Sequence, residues 1–153
     1  MEEVYEVKFE KVKRLEDLEF ELPMKATKYA AGYDFTNPED VWVTGNGVTY
    51  VKTGVKAKFP KHMALLLLNR SSNPRKKELF LANGVGLIDA DYYDNEDNEG
   101  EIAFAFTTTN DTGVFIKAGE KLGQGMFINY HDITGLNTDD IDDRRGGFGS
   151  TSK

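Results

Sequence analysis

The chain has no cysteine among its 153 residues. That excludes a disulfide framework, a thiolate nucleophile and a cysteine-held zinc ion. Histidine is almost as scarce: only His62 and His131 are present, too few for a multi-histidine metal centre within one subunit. A magnesium ion held by oxygens, above all those of a phosphorylated substrate, stays open. Long apolar runs are missing too. The longest, Met63–Leu68, is far too short to span a bilayer, and the opening MEEVYEVKFEKVKRLEDLEF is charged, without an apolar signal segment. The expectation is a soluble, cytoplasmic protein with no membrane partner. Positive charge is in deficit, with 19 Lys and Arg against 26 Asp and Glu and a net charge of -7. Such a field repels a phosphate polyanion, so no nucleic-acid partner is expected. A small phosphorylated substrate is still allowed, because a local basic pocket can override the global field.

What is present fits one domain. Ten Phe, seven Tyr and one Trp can fill a modest core. Apolar and polar residues alternate with strand period at 5–9, 54–59 and 101–109, where Ile102, Phe104 and Phe106 oppose Glu101, Ala103, Ala105 and Thr107. Val41-Trp42-Val43 and Val48-Thr49-Tyr50-Val51 flank Gly45-Asn46-Gly47, a hairpin signal. Further strands are expected at Met63–Leu68, 85–90, 114–116 and 126–128. Leu15, Leu18 and Leu22 have a helical spacing, although a turn and an extended stretch fit equally. Ser71-Ser72-Asn73-Pro74 can start a helix and 75–81 continue it for two turns. Residues 94–100 read as an acidic, polar loop. Many short strands, glycine-punctuated turns and no βαβ rhythm predict an all-β barrel or sandwich.

Several groups could carry chemistry. Asp89 and Asp91, at i and i+2 of an expected strand, share one face; they either face solvent or handle a metal, proton or water. Arg70-Ser71-Ser72 could hold a phosphate where free N–H groups begin a helix, or be an ordinary cap. Gly119-Glu120-Lys121-Leu122-Gly123-Gln124 looks like a turn entering a strand, with Gln124 either donating to an oxygen or lying on the surface. Arg144-Arg145-Gly146-Gly147-Phe148-Gly149-Ser150-Thr151 suits a lid, in which arginine grips phosphate and phenylalanine stacks on a base, or a disordered tail. It lacks the lysine and following helix of a Walker A loop. No catalytic triad can be argued for either histidine. Tyr92, directly after Asp91, could pack on a sugar face.

Taken in order, five segments resemble the homotrimeric deoxyuridine triphosphatase (dUTPase) family, of bacterial or phage type. They are Ala31-Gly32-Tyr33-Asp34, Arg70-Ser71-Ser72, Asn83-Gly84-Val85-Gly86-Leu87-Ile88-Asp89-Ala90-Asp91-Tyr92, the Gly119 to Gln124 segment, and Gly146-Gly147-Phe148-Gly149-Ser150-Thr151 with an arginine before it. Each alone is weak; all five in order, over residues 31–151, are a strong signal. The resemblance implies a distorted jelly-roll β-barrel over 1–136 and a flexible C-terminal arm over 137–153 that carries the lid. It implies a homotrimer with active sites between subunits, the arm closing over a site built mainly by other chains. The implied activity is hydrolysis of dUTP to dUMP and pyrophosphate with Mg2+, which limits uracil in DNA and supplies dUMP for dTMP synthesis.

By the same resemblance Asp89 would be the general base for the attacking water, and Asp34 would bind magnesium through water. Asn83 would read uracil and Tyr92 would stack on the deoxyribose, excluding a 2′-hydroxyl. Arg70, Ser71, Ser72 and Gln124 would surround the phosphates, with Arg70 partly a structural brace. Gly86 belongs to the same substrate-contacting set. Phe148 would cover the base, while Gly149, Ser150, Thr151 and Arg144 would complete the lid. The sequence departs from the family pattern in three places. Lys121 and Gly123 stand where Arg and Ala are common, and the 94–100 loop is longer than in the shortest members. Asp143 occupies the position, five before Phe148, that often holds the lid arginine, so Arg144, four before it, would take that role, with Arg145, three before it, the alternative. A same-fold dCTP deaminase, a phage regulatory protein whose acidic loop contacts a protein partner in the host cytoplasm, and a capsid-like jelly roll are the alternatives. The Asn-x-Val-Gly-Leu-Ile-Asp-x-Asp-Tyr form favours the triphosphatase.

Overall fold

The computed structural model describes residues 5–147. Within them the chain is built from antiparallel strands and a few single turns of helix. The strands are β1 (Lys8–Lys11), β2 (Tyr33–Thr36), β3 (Val41–Val43), β4 (Thr49–Lys52), β5 (Val55–Lys58), β6 (Met63–Leu68), β7 (Leu79–Leu81), β8 (Gly86–Ile88), β9 (Ala103–Thr108), β10 (Val114–Ile116) and β11 (Lys121–Asn129). They form four small sheets, ordered β1-β5, β10-β3, β2-β11-β6-β8 and β4-β9-β7. No sheet among the described residues closes on itself, so the architecture is mainly β without a barrel closed within one chain.

The alternation read from the sequence explains the core. Val51, Val55, Leu65, Leu67, Phe104, Phe106 and Leu122 are buried in one cluster with Phe35 and Ile116. Phe35 and Phe104 meet edge to face, with centroids 5.3 Å apart, a favoured arrangement of aromatic quadrupoles. Glycines let β11 approach this cluster. A Cβ on Gly125 would lie 3.0 Å from both Leu65 and Phe35, and one on Gly123 would lie 2.5 Å from the Phe104 ring. Gly123 fits here because Phe104 already fills the space that a Cβ would need.

Three expectations fail for identifiable reasons. First, Gly45-Asn46-Gly47 does not close a hairpin. β3 pairs with β10 and β4 with β9, so the glycines carry the chain between sheets. A Cβ on Gly45 would sit 2.7 Å from the carbonyl oxygens of Asn110 and Asp111, so close packing on that turn requires the glycine. Second, the helix expected over 71–81 is one π-helical turn, Asn73–Lys77. Glu78 adopts a left-handed conformation, φ 54°, and Leu79–Leu81 leaves as a strand paired with β9. Tertiary pairing overrides local helix propensity here. Third, the strand of 85–90 ends at Ile88, and residues Ala90–Tyr92 make a 3-10 turn. Asp89 and Asp91 are therefore not strand neighbours on one face.

Glu101, expected on the polar face of its strand, is also buried. Arg14 grips it with two bonds, 2.9 Å and 2.6 Å, and the Gly54 N–H donates to it at 2.9 Å. The charge is tolerated because it is fully partnered. The segment carrying Leu15 and Leu18 forms a 3-10 turn at Lys13–Leu15. No helix among the described residues is long and apolar enough to cross a membrane.

Gly123→Ala is expected to destabilise the protein by about 1–3 kcal/mol through overpacking against Phe104. Thermal unfolding checks this, and an unchanged midpoint would show that the Phe104 ring can yield.

Candidate active site

The pairing of β11 with its two neighbours assembles the first group of candidate residues. Gln124 lies opposite Asp34 on one side and Leu68 on the other. The turn leaving β6 then carries Arg70, Ser71 and Ser72 away from the same end of the sheet. Gln124 Nε2 donates to the Asn69 carbonyl oxygen at 3.1 Å, which ties β11 to that turn. A Cβ on Gly32 would sit 2.3 Å from Gln124 Oε1, so the small residue before Asp34 makes room for the amide. Asp34 accepts a bond from Lys121 Nζ at 3.1 Å.

Two asparagines brace the Arg-Ser-Ser turn. Asn69 Oδ1 accepts from the Arg70 N–H at 2.9 Å and from Asn73 Nδ2 at 2.7 Å, and Asn73 Nδ2 also reaches the Leu122 carbonyl at 2.8 Å. Sequence reading missed both residues, since nothing in a lone Asn distinguishes a buried brace from a surface amide. The stretch 70–77 holds Arg70, Arg75, Lys76 and Lys77 with no acidic residue. It is a cationic stretch on an acidic chain, in which Lys77 pairs with Glu120 at 3.6 Å, and it suits a phosphate nearby.

The second group sits on the β7–β8 connection and beyond. Asn83 is exposed in the turn, Gly86 begins β8, and Asp89 follows its end. Asp89 does not cap the 3-10 turn with its side chain. Instead Arg144 forks across both acids, Nη2 donating to Asp89 at 2.8 Å and Nε to Asp91 at 2.8 Å. One cation thus reunites two carboxylates that the strand does not align. Burial opposes the Arg144 charge, but the bonds to Asp91 and Asp89 outweigh it and hold its pKa above the ordinary value. The guanidinium also lies over the Tyr92 ring, 5.6 Å from its centroid. Tyr92 is buried, and its hydroxyl donates to the Glu101 carbonyl at 2.7 Å. Burial raises its pKa. Phe148, Gly149, Ser150 and Thr151 lie outside the described residues.

Within one chain Asp89 stays apart from the first group, although Gly86 of its own segment pairs with Leu67, one row from Leu68. Leu65 pairs with Ile88, so Asp89 follows at the level of Ala64, whereas Gln124 is level with Leu68. Those rows are four residues apart along β6, or about 13 Å at roughly 3.3 Å per residue.

The 94–100 loop is tied down rather than waving in solvent. Lys56 bonds Asp94 and, at 2.7 Å, Glu99, and Glu99 also accepts from the Lys13 N–H at 3.0 Å. Asn95 and Asn98 knit the loop internally, with Asn95 Nδ2 donating to Asn98 Oδ1 at 2.7 Å. Burial disfavours the Glu99 carboxylate, but Lys56 and the Lys13 N–H overcome it and lower its pKa.

Comparison with known proteins gives a consistent result. The dUTPase family model matches residues 18–152. A deoxyuridine 5'-triphosphate nucleotidohydrolase of Lactococcus lactis is 38% identical over 143 residues, covering 94% of this chain and 95% of the relative. One from Rickettsia prowazekii is 28% identical over 146 residues, covering 92% and 95%. The crystal structure of the Streptococcus mutans dUTPase matches with a TM-score of 0.77 and 42% identity, over 83% of this chain and 98% of that one. The dUTPase from phage phi11 of S. aureus, 18% identical with a TM-score of 0.70 over 90% and 98%, shares the fold.

The Glu99 clamp predicts a pH dependence. With the folded pKa below the ordinary 4.5, its stabilisation is present above that value and is lost as pH falls through the folded pKa. Glu99→Gln should lower the melting temperature by about 2 °C at neutral pH. Thermal scans should show that gap closing below the ordinary carboxylate pKa; a gap that persists there would contradict the clamp.

Proposed function

We propose, because the chain belongs to the dUTPase family, that it hydrolyses dUTP to dUMP and pyrophosphate in a magnesium-dependent reaction. The observation that carries this reading is the meeting of three sequence-distant stretches at one end of a sheet. Asp34, Gln124 and the braced Arg70-Ser71-Ser72 turn come together beside a four-cation stretch.

Asp89 is the general base. Its carboxylate accepts the proton of a water aimed in line at the α-phosphorus, opposite the leaving pyrophosphate. To do so it must part from Arg144. The triphosphate provides the reason, as a richer acceptor for the same guanidinium. Arg70, Ser71, Ser72 and Gln124 hold the phosphate oxygens. Asn83 presents donor and acceptor to the uracil edge, and a mismatched cytosine would leave buried groups unpaired. Tyr92, buried with its hydroxyl pinned to Glu101 and its ring under Arg144, offers that ring face to the deoxyribose only once Arg144 moves away. Gly86 permits close approach of the β8 backbone, and Phe148, Gly149, Ser150 and Thr151 complete the lid.

No cluster of three or more acidic or histidine side chains suited to a metal occurs among the described residues. The donor set fits an ion carried on substrate phosphates and keeping its waters, with Asp34 orienting them. Bound magnesium would supply charge neutralisation on those phosphates.

The active assembly is a homotrimer with sites shared between subunits. The separation of Asp89 from the phosphate-holding group supports it, as does a row of Leu66, Leu87 and Met126 across the sheet. Leu87 is 63% exposed in the single chain, an apolar surface suited to another copy. Residues 137–153 form the arm that carries the lid. Deamination of dCTP is the weaker reading, since the Asn83 to Tyr92 segment keeps the triphosphatase form. A regulatory partner on the 94–100 loop is also weaker, because Asp94, Asp97 and Glu99 are engaged within the chain.

Pyrophosphate release should occur from dUTP, and far more slowly from dCTP, dTTP and UTP. Asp89→Asn should reduce kcat by about 10²–10⁴-fold. No release from any of the four would overturn the hydrolase assignment, and an undiminished variant would overturn Asp89 as base.

A further inference from the structure

The dipeptide Asn-Gly occurs twice in the chain, and both times valine follows: Asn46-Gly47-Val48 and Asn83-Gly84-Val85. This sequence carries its own chemistry. The main-chain nitrogen after an asparagine can attack the carbon of the side-chain amide, and a following glycine hinders it least because it has no Cβ. A new N–C bond closes a five-membered succinimide. The bond to the amide nitrogen breaks, and ammonia leaves with the proton of the attacking nitrogen. Water then opens the ring at either carbonyl, giving aspartate or isoaspartate. Nothing is oxidised or reduced, and water is the only co-reactant. Asparagine is thermolabile for this reason. Since the residues that follow are identical, the fold decides which of the two sites reacts.

Both asparagines are exposed, so access does not separate them. The attacking nitrogens do. The Gly84 N–H donates to the Leu81 carbonyl at 3.0 Å, and the Val85 N–H donates to the Asn83 carbonyl at 2.8 Å. Gly84 has φ 72°, the conformation at the centre of a γ-turn. The start of the turn is fixed as well, because the Ala82 N–H donates to the Ala105 carbonyl of β9 at 2.8 Å. To reach the Asn83 side chain, the Gly84 nitrogen must leave Leu81 and its peptide must rotate, which also breaks the Val85 bond. The 45–47 bend is different. Its glycines are anchored, Gly45 against the carbonyls of Asn110 and Asp111 and the Gly47 carbonyl by the Thr107 hydroxyl at 2.9 Å. Among the described residues the Gly47 N–H between them makes no hydrogen bond.

We propose that Asn46 is a site of spontaneous deamidation and that the 81–85 turn shields Asn83 from the same reaction. The consequence lies at Asn83. An ionised aspartate there would present only acceptors to a base, where asparagine presents a donor and an acceptor, and isoaspartate would lengthen the main chain of the turn. The shield therefore preserves base reading. That consequence rests on the dUTP hydrolase reading; the difference in reactivity does not.

The test ages the folded protein in warm, mildly alkaline buffer and follows aspartate and isoaspartate at each asparagine by peptide mass mapping. Asn46 should convert about tenfold faster than Asn83, the scale of two backbone hydrogen bonds that must open first. In concentrated urea, where the turn is gone, the two rates should agree to within about twofold. Separately, Asn83→Asp should lower kcat/KM on dUTP by about 10²-fold. No conversion at Asn46 overturns the site, and equal rates in the folded protein overturn the shield. A tenfold gap that persists in urea also overturns it, because the difference would then come from neighbouring sequence. Full activity of Asn83→Asp overturns the consequence for base reading. Absence of dUTP hydrolysis in the unaltered chain would instead defeat the hydrolase reading, with the conversion rates still deciding the site and its shield.

Discussion

The register of β11 between β2 and β6 is the constraint on which the site depends. It sets Gln124 between Asp34 and Leu68, and one residue of slip would turn Gln124 toward the core and its neighbours Gly123 and Gly125 away from it. Side-chain size favours that register. Gly123 and Gly125 fit closely under Phe104, Phe35 and Leu65, where a larger residue would have to displace a neighbour. The same strand order, β2-β11-β6-β8, carries Asp89 to the other end of the sheet. The packing that gathers Gln124, Asp34 and the Arg70 turn therefore also sets Asp89 at the other end of the sheet, a separation that the proposed sharing of sites between chains would bridge.

Electrostatics show a similar division. The chain is acidic overall, yet several of its cations stand among the candidate site residues. Four lie in 70–77, Lys121 stands beside Asp34, and Arg144 bridges Asp89 and Asp91. The acidic loop spends most of its charge internally, on Lys56, Lys13 and the arm. Arg144 joins the two regions. It is held by Asp89 and Asp91 in the free chain, and the proposed function would have it exchange them for substrate phosphate.

Much of this was legible in the sequence. Period-two alternation gave the strands around Phe104 and Val55, and the unbroken apolar run Met63–Leu68 gave the strand of Leu65; all three residues are buried in the structure. The five ordered motifs gave the family. Other features were not legible because they are non-local. Whether Gly45 and Gly47 close a hairpin or carry the chain between sheets depends on β10 and β9. Leu79–Leu81 became a strand because β9 offered it a partner. The convergence of Asp89 and Asp91 depends on Arg144, more than fifty residues away. The braces Asn69 and Asn73 carry no signal until their neighbours are known.

The central claim, that the reacting aspartate and the phosphate-holding residues of one site come from different chains, is tested most directly by mixing two inactive proteins. Asp89→Asn lacks the base, and an Arg70→Ala/Ser72→Ala double variant lacks the phosphate grip. Co-refolded in equal amounts, with mixed assemblies verified by native mass spectrometry, they should recover about a quarter of the unaltered activity on dUTP, since random assembly reunites intact halves in about that share of shared sites. Mixed assemblies that form yet stay inactive would show that each site is complete within a single chain, and would contradict the account.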